Sequence, residues 1–402
     1  MENAKTLSRF STFAILMVFT LSMFETSAIA PVLDEFAKAF PEASLLQVRL
    51  VNQMPFLMVF VFSVLTGSLL LKRINKKTLM IIGLIVYGIS GILPIFSTDV
   101  STILLLRLIT GAGVGLVMPV PSTIIAERFS GDHRTRLLGY SQVFIQIGNV
   151  VFTILVGFVM ATLGWKTGFY AFGFVFIILI LVIFGVPGSA VKTAVSPAEE
   201  IPDKNAAKTK VPFGIFCLAA SLFFTFVMFS FFPVNYAMLA GGSGLIPIWS
   251  IGLFMAIPAV TSIVISALIV QLRKIFRKYT IFVGFLMFAG GFAVLSAANS
   301  IPMFAIGPII LGIGLGLIPP ILLDMTAVKA GDEHRNFAFG VVTSCMQLGS
   351  FISAFIMSWI GMIGKTESIP WLLMVAGIIC VCAAVVSLLI ALLVKSNNKA
   401  AA

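Results

Sequence analysis

Two side chains sit where charge is expensive. Glu25 interrupts the run Phe10 to Leu33, which is otherwise apolar or small and carries no other charge, and Arg107 is the only basic residue well inside any apolar run. In hydrocarbon an ionised side chain costs about 2.5 to 3.5 kcal/mol even on lenient insertion scales, so it is kept only with a partner, a proton or water. A carboxylate so placed can carry a proton or hold a cationic cargo. An arginine, which does not readily lose its proton, can tune it. At 1.5 Å rise per residue Glu25 is expected about 10 Å from the outer face and Arg107 about 8 Å deep, in the same layer. The plainer reading is a fixed salt bridge that sets helix packing.

Amide and hydroxyl groups extend the set. Gln142, Gln146, Asn149 and Thr153, at spacings of 4, 3 and 4, share one helix face. Asn52 and Gln53 lie on another apolar run, Gln347 on a third, and Asn235 and Tyr236 end the Phe-rich stretch Leu222 to Tyr236. These residues are expected to line a substrate cavity, the alternative being hydrogen bonds that glue helix to helix. Glu127 and Asp324 stand near basic clusters, Lys72 and Arg73 with Lys76 and Lys77 for the first, Arg273 and Lys274 with Arg277 and Lys278 for the second. Both acids are expected to make cytoplasmic gate salt bridges, broken when that side opens.

The elements that must hold these groups are membrane helices. Hydrophobic residues make up 59% of the 402 and charged residues 10%, against about 25% charged in soluble domains. Runs near the ~20 residues that span a bilayer recur twelve times, at roughly 10–33, 47–70, 78–97, 102–126, 137–160, 167–187, 212–236, 247–270, 279–297, 302–325, 337–360 and 370–394. The fold class is therefore all-α integral membrane, with 12 transmembrane helices. The net charge of +11 does not imply nucleic-acid binding. With a cytoplasmic N-terminus, 21 Lys and Arg fall in inner loops and tails against 4 in outer ones, which is the positive-inside rule with both termini cytoplasmic. The stretch before the first run lacks a cleavage pattern, so that run is expected to be retained as a helix. Cys217, Cys345, Cys380 and Cys382 all fall within runs, where they act as small apolar residues and imply no metal cluster.

The chain also repeats itself. A shift of 201 residues lays Leu71–Thr78 on Leu272–Tyr279, Thr110–Pro119 on Leu311–Pro320, Asp132–Arg134 on Glu333–Arg335 and Gln146–Gly148 on Gln347–Gly349. This predicts two pseudo-symmetric six-helix bundles, residues 1–187 and 212–402, joined by a Pro-, Ala- and Lys-rich cytoplasmic linker at 188–211. An even number of spans per half makes the repeats parallel, with a substrate site near the midplane between halves that rock.

The sequence resembles the major facilitator superfamily over nearly its whole length. Gly67–Lys77 is similar to the family's basic loop between the second and third helices. Arg107–Gly115 resembles the fourth-helix motif of proton-coupled members, and the stretches Arg134–Gly139 and Arg335–Gly340 fit its R-x4-G ending. Two departures stand out. The acidic residue usual in the first loop is replaced around Leu71 and Lys72, and the fifth helix lacks the Gly-Pro signature of drug:proton antiporters. The resemblance implies that the first and fourth helices are neighbours, which would let Glu25 and Arg107 meet within a cavity.

Other signals are weak. Gly361–Thr366 lacks the leading glycine of a phosphate loop, and the glycine-rich stretches at Gly111–Gly115 and Gly312–Gly316 have the small-xxx-small spacing of close helix contacts. His133 and His334 have no ligand cluster around them. No metal, cofactor or enzymatic constellation is expected. The expected function is a proton-coupled secondary transporter, a monomer in the plasma membrane, exporting lipophilic neutral or cationic small molecules. The alternatives are proton-linked uptake of a small organic or inorganic anion through Arg107, and a non-transporting membrane sensor or scaffold.

Overall fold

A computed structural model describes residues 7–129, 131–186, 188, 213–366 and 368–400, with side chains described except at 72, 131, 132, 135, 327, 331–337 and 393–400. Apart from residue 188, the linker expected at 188–211 lies outside the described residues.

All the regular structure described is helical. In chain order it comprises α1 (Arg9–Phe19), α2 (Phe24–Ala39), α3 (Leu45–Leu70), α4 (Lys76–Phe96), α5 (Val100–Arg128), α6 (Gly131–Leu163), α7 (Gly173–Gly185), α8 (Phe213–Ser243), α9 (Ile248–Ala267), α10 (Ile269–Ser296), α11 (Ile301–Ala330), α12 (Ala338–Gly364) and α13 (Ile369–Leu392). Among the described residues ten helices are long and apolar enough to cross a membrane, and α1 with α2, bent by 57°, makes an eleventh. The sixth expected span is shorter than its apolar run. A single turn, Thr167–Tyr170, precedes the 13 residues of α7. Between α11 and α12 the backbone stays helical from Ile301 to Gly364, where a loop was expected.

Local chemistry sets the helix starts. The Ser44 hydroxyl and the Gln47 side chain close a capping box at the head of α3. Asp99 caps α5 by accepting from Thr102 N at 2.8 Å, and hydrogen bonds from the Thr102 side chain and backbone hold its exposed carboxyl below the usual carboxylate range. Pro55, Pro258, Pro308, Pro319 and Pro320 lie inside helices, which is tolerable in a membrane where neighbouring groups re-satisfy the freed carbonyls.

Glycines fix the crossings. A Cβ on Gly111 would overlap the Pro55 carbonyl of α3, and one on Gly148 would overlap the Thr20 carbonyl. The same contacts recur at Gly312 on Pro258 and at Gly349 on Phe223. On α4 and α5, Gly113 lies against Gly83 and Tyr87, as Gly314 lies against Gly284 and Phe288 on α10 and α11. The repeat is thus a repeat of backbone approaches. Its register is refined, because the contacts that replace Thr20 and Pro55 come 203 residues later, not 201. The positions matching Asn52 and Gln53 are then Met255 and Ala256, where the plain 201-residue shift points to Leu253 and Phe254.

The two sets of helices meet along two seams, α3 with α12 and α6 with α9, and again where α2 packs on α8. That last contact is at the end opposite the basic loops. Here residues 230–237 of α8 are buried on every side, as are residues 24–33 of α2 except for half-buried Thr26.

Gly111→Val or Gly312→Val is expected to cost about 1–3 kcal/mol by overpacking. Thermal unfolding of the purified protein in detergent would read this as a lowered Tm. Gly139→Ala and Gly340→Ala, whose added methyl groups meet nothing within 4 Å, are expected to leave it unchanged.

Candidate functional site

The first membrane helix is not continuous. From Thr20 to Phe24 the amides of Thr20, Leu21, Ser22 and Phe24 reach back three residues, to Met17, Val18, Phe19 and Leu21, at 3.0–3.2 Å. This tight turn separates α1 from α2 and puts Glu25 in the first turn of α2. A carboxylate there is favoured by the helix dipole.

Glu25 forms an ion pair with Arg107 of α5, and both are fully buried. Arg107 Nε donates to the Val51 carbonyl of α3 at 2.8 Å, and its guanidinium lies over the Phe172 ring at 5.4 Å. The hydroxyl of Tyr87, from α4, lies beside the Glu25 carboxylate. Phe24 packs edge-on against Phe152 at 4.5 Å and Phe172 at 5.1 Å. The two charges therefore meet, in the common layer given by their depths and with the helix adjacency that the resemblance implied. They meet inside the first half behind aromatic rings, however, and not in an open cavity.

In the second half the register of the glycine contacts puts Met228 at the position of Glu25, Phe288 at that of Tyr87 and Pro308 at that of Arg107. The polar cluster belongs to one half only.

The expected cavity residues divide. Gln53 Nε2 donates to Ser353 Oγ across the α3–α12 seam at 3.4 Å, and Gln146 Nε2 to Ser262 Oγ across the α6–α9 seam at 3.3 Å. Asn149 Oδ1 accepts from Ser27 Oγ at 2.7 Å, tying α6 to α2. Asn235 and Tyr236 bond within the second half: Asn235 Nδ2 donates to the Phe231 carbonyl at 2.8 Å and to Met357 Sδ at 3.1 Å, and Tyr236 OH to the Phe304 carbonyl at 2.8 Å. Asn52 is fully buried, Gln142 exposed and Gln347 half-buried.

At the basic end Lys76 Nζ pairs with Glu127 at 2.5 Å and Arg273 with Asp324 at 2.5 Å. Glu127 thus takes Lys76 from its expected basic cluster. Arg73 and Lys274 are exposed, and the Lys72 side chain lies outside those described. Each bridge joins neighbouring helices of one half and none crosses between halves, so a gate acting directly across the gap is not what these pairs form.

Some residues carried a signal that sequence reasoning passed over. Tyr87 lies in the apolar run 78–97, which has no charged or amide side chain to mark it. Arg49, placed at a helix end by position, is buried. Asp34 of α2 pairs with Lys38 at 2.7 Å, and its carboxylate lies so close over Gly241 of α8 that a Cβ on that glycine would overlap it.

A family profile described as Major Facilitator Superfamily matches residues 15–353 and, again, 246–402. The chain belongs to the Major Facilitator Superfamily. It is accordingly a transporter and not an enzyme. Among superfamily relatives it is 24% identical to the quinolone resistance protein NorA of Staphylococcus aureus strain MSSA476, over 72% of this chain and 74% of that protein. It is 23% identical to the 3-(3-hydroxy-phenyl)propionate transporter of Escherichia coli K12, over 71% of each. Identity to a putative niacin/nicotinamide transporter of Bacillus subtilis is 31%, but over only 26% of this chain and 28% of that one. The superfamily fold is seen again in the POT family transporter PepTSo, with a TM-score of 0.76 at 12% identity over 94% of this chain and 97% of that one.

Arg107→Leu would strand a buried carboxylate and is expected to destabilise by about 3–5 kcal/mol. Asp324→Asn removes an exposed pair worth about 0–1 kcal/mol. Paired Tm measurements in detergent should rank the first variant well below the second.

Proposed function

We propose that this transporter is proton-coupled and exports lipophilic neutral or cationic small molecules, with Glu25 as the proton carrier and Arg107 as its tuning partner. The observation that carries this reading is the Glu25–Arg107 pair, fully buried and set one residue past a break in its own helix. A pair of that kind is weak as a source of stability, because desolvation offsets its attraction. It is well suited to switching, because one proton on Glu25 removes the attraction and the helix beside it already has a joint.

In this reading the basic end faces the cytoplasm, with both termini there, and residues 1–187 rock against 212–402 in the plasma membrane of a monomer. Gln53 with Ser353 and Gln146 with Ser262 are the seam contacts around which the halves turn. Gln142, Gln347 and the aromatic side chains of α8 offer contacts to a greasy cargo. Lys76–Glu127 and Arg273–Asp324 brace the cytoplasmic ends and so set how each half opens.

A second reading, uptake of an organic anion, draws on the hydroxyphenylpropionate and niacin transporters among the relatives. Against it stands the full burial of Arg107, whose guanidinium is already committed to Glu25, Val51 and the Phe172 ring.

The deciding experiment follows proton movement in proteoliposomes under an imposed pH gradient, with wild type and Glu25→Gln, over lipophilic cations, neutral drugs and organic anions. The expected outcome is proton release driven by a cation or neutral drug in wild type and lost in the variant. Coupling that survives in Glu25→Gln, or transport confined to anions and dependent on Arg107, would overturn it.

A further inference from the structure

Two carboxamides, one from each half, are bonded at their nitrogen end only. Gln53 of α3 and Asn235 of α8 are both fully buried, and what each one meets fixes which way round it sits. Asn235 Nδ2 donates to the Phe231 carbonyl at 2.8 Å and to Met357 Sδ at 3.1 Å. Neither of those atoms has a hydrogen to give, so the amide cannot be reversed. Gln53 Nε2 meets Ser353 Oγ at 3.4 Å, and the single hydroxyl hydrogen of Ser353 is already spent on the Ser350 carbonyl at 2.6 Å. Here too only the N–H end of the amide fits. What is left over in both cases is the oxygen. Gln53 Oε1 and Asn235 Oδ1 are buried and accept no hydrogen bond from the described residues.

The two oxygens are neighbours by way of α12. Ser353 and Met357, four residues apart, share one face of that helix and lie about 6 Å apart along its axis. Asn52, one residue before Gln53 and so about 100° round α3, does not share that line. A buried amide oxygen without a donor is costly to keep, and a pair of them on adjacent turns at the seam between the halves calls for a reason.

We propose that Gln53 Oε1 and Asn235 Oδ1 form a subsite for the N–H donors of a protonated primary amine. Both unmet atoms are acceptors. An ammonium group offers three donors to them and makes charge-assisted bonds. A carboxylate or phosphate, which only accepts, finds no partner in this pair. A quaternary ammonium has no N–H and keeps only its attraction to aromatic rings. Gln53 belongs to the first half and Asn235 to the second, so an amine held by both is held across the seam, and the long bond to Ser353 is the contact that yields as it enters. This inference rests on the reading of the cargo as a neutral or cationic small molecule and narrows it to amines that carry N–H. It does not depend on proton coupling through Glu25.

The test measures Kd by isothermal titration calorimetry on the purified full-length protein in detergent at neutral pH. The probes are 3-phenylpropylamine, its N,N-dimethyl and N,N,N-trimethyl forms, and 3-phenylpropionate. The three amines share charge and ring and differ in their number of N–H donors. The primary amine is expected to bind about tenfold or more tighter than the trimethyl form, the dimethyl form between them and the carboxylate weakest. Gln53→Leu and Asn235→Leu are each expected to erase the preference for the primary amine while the trimethyl form keeps its wild-type Kd. Ser353→Ala removes the seam bond but keeps the Gln53 oxygen, and is expected to retain the preference. Where a leucine variant lowers the Tm, Gln53→Met and Asn235→Met, closer in length and flexible enough to fill the site, read the same quantity. The subsite is overturned if wild type binds the three amines alike, or if the preference survives removal of both oxygens. Its failure is distinguishable from failure of the cargo reading. Wild type that binds all three amines equally refutes the subsite and leaves export of cations standing, whereas wild type that binds 3-phenylpropionate and none of the amines refutes both.

Discussion

An ionised carboxylate in a bilayer persists only where the protein itself supplies its counter-charge and its polar neighbours, because lipid supplies neither. Around Glu25 that requirement gathers most of the first half into one cluster. α2 brings the carboxylate, α5 the guanidinium, α3 a backbone carbonyl, α4 a hydroxyl, and the turn before α7 an aromatic face. Helices that would otherwise be held only by packing and close glycine contacts are tied to a shared polar centre. The second half has the same crossings without that centre, since Met228, Phe288 and Pro308 stand where Glu25, Tyr87 and Arg107 would be. Duplication supplied the scaffold twice, and the charge chemistry occupies one copy.

Close glycine contacts occur both within each half and between the halves. Within a half, backbones approach so closely at Gly111, Gly113, Gly312 and Gly314 that no side chain is admitted. Between halves the seams rest on long amide-to-hydroxyl bonds of 3.3 and 3.4 Å, weak by ordinary hydrogen-bond geometry. The α6–α9 seam also has close backbone approaches, Gly252 against the Thr153 carbonyl and Gly157 against Gly252.

The broken first helix joins these two properties. An unbroken α-helix would carry Glu25 rigidly with the rest of its half. The tight turn before it sets the segment that bears the charge at 57° to the segment that precedes it. The adjoining residues of α2 are also those that touch the other half, so charge and interface lie on one short element.

Much of this was determined by the sequence alone. Hydropathy specified membrane helices because backbone groups in lipid must bond within their own segment, and the repeat marked glycines that make matching close crossings in each half of the chain. Placing Glu25 and Arg107 in one layer needed only the helix rise. Tertiary structure decided what one-dimensional spacing cannot carry. It paired Lys76 with Glu127, because spacing along a basic loop does not say which ammonium reaches the carboxylate. It broke the first span where the hydropathy is continuous, since a turn of three-residue hydrogen bonds costs no polarity and leaves no mark in composition. It enclosed the ion pair within one half, and it set Asp34 on Gly241, because which faces of two distant helices meet is fixed by packing of the whole bundle and by no local pattern.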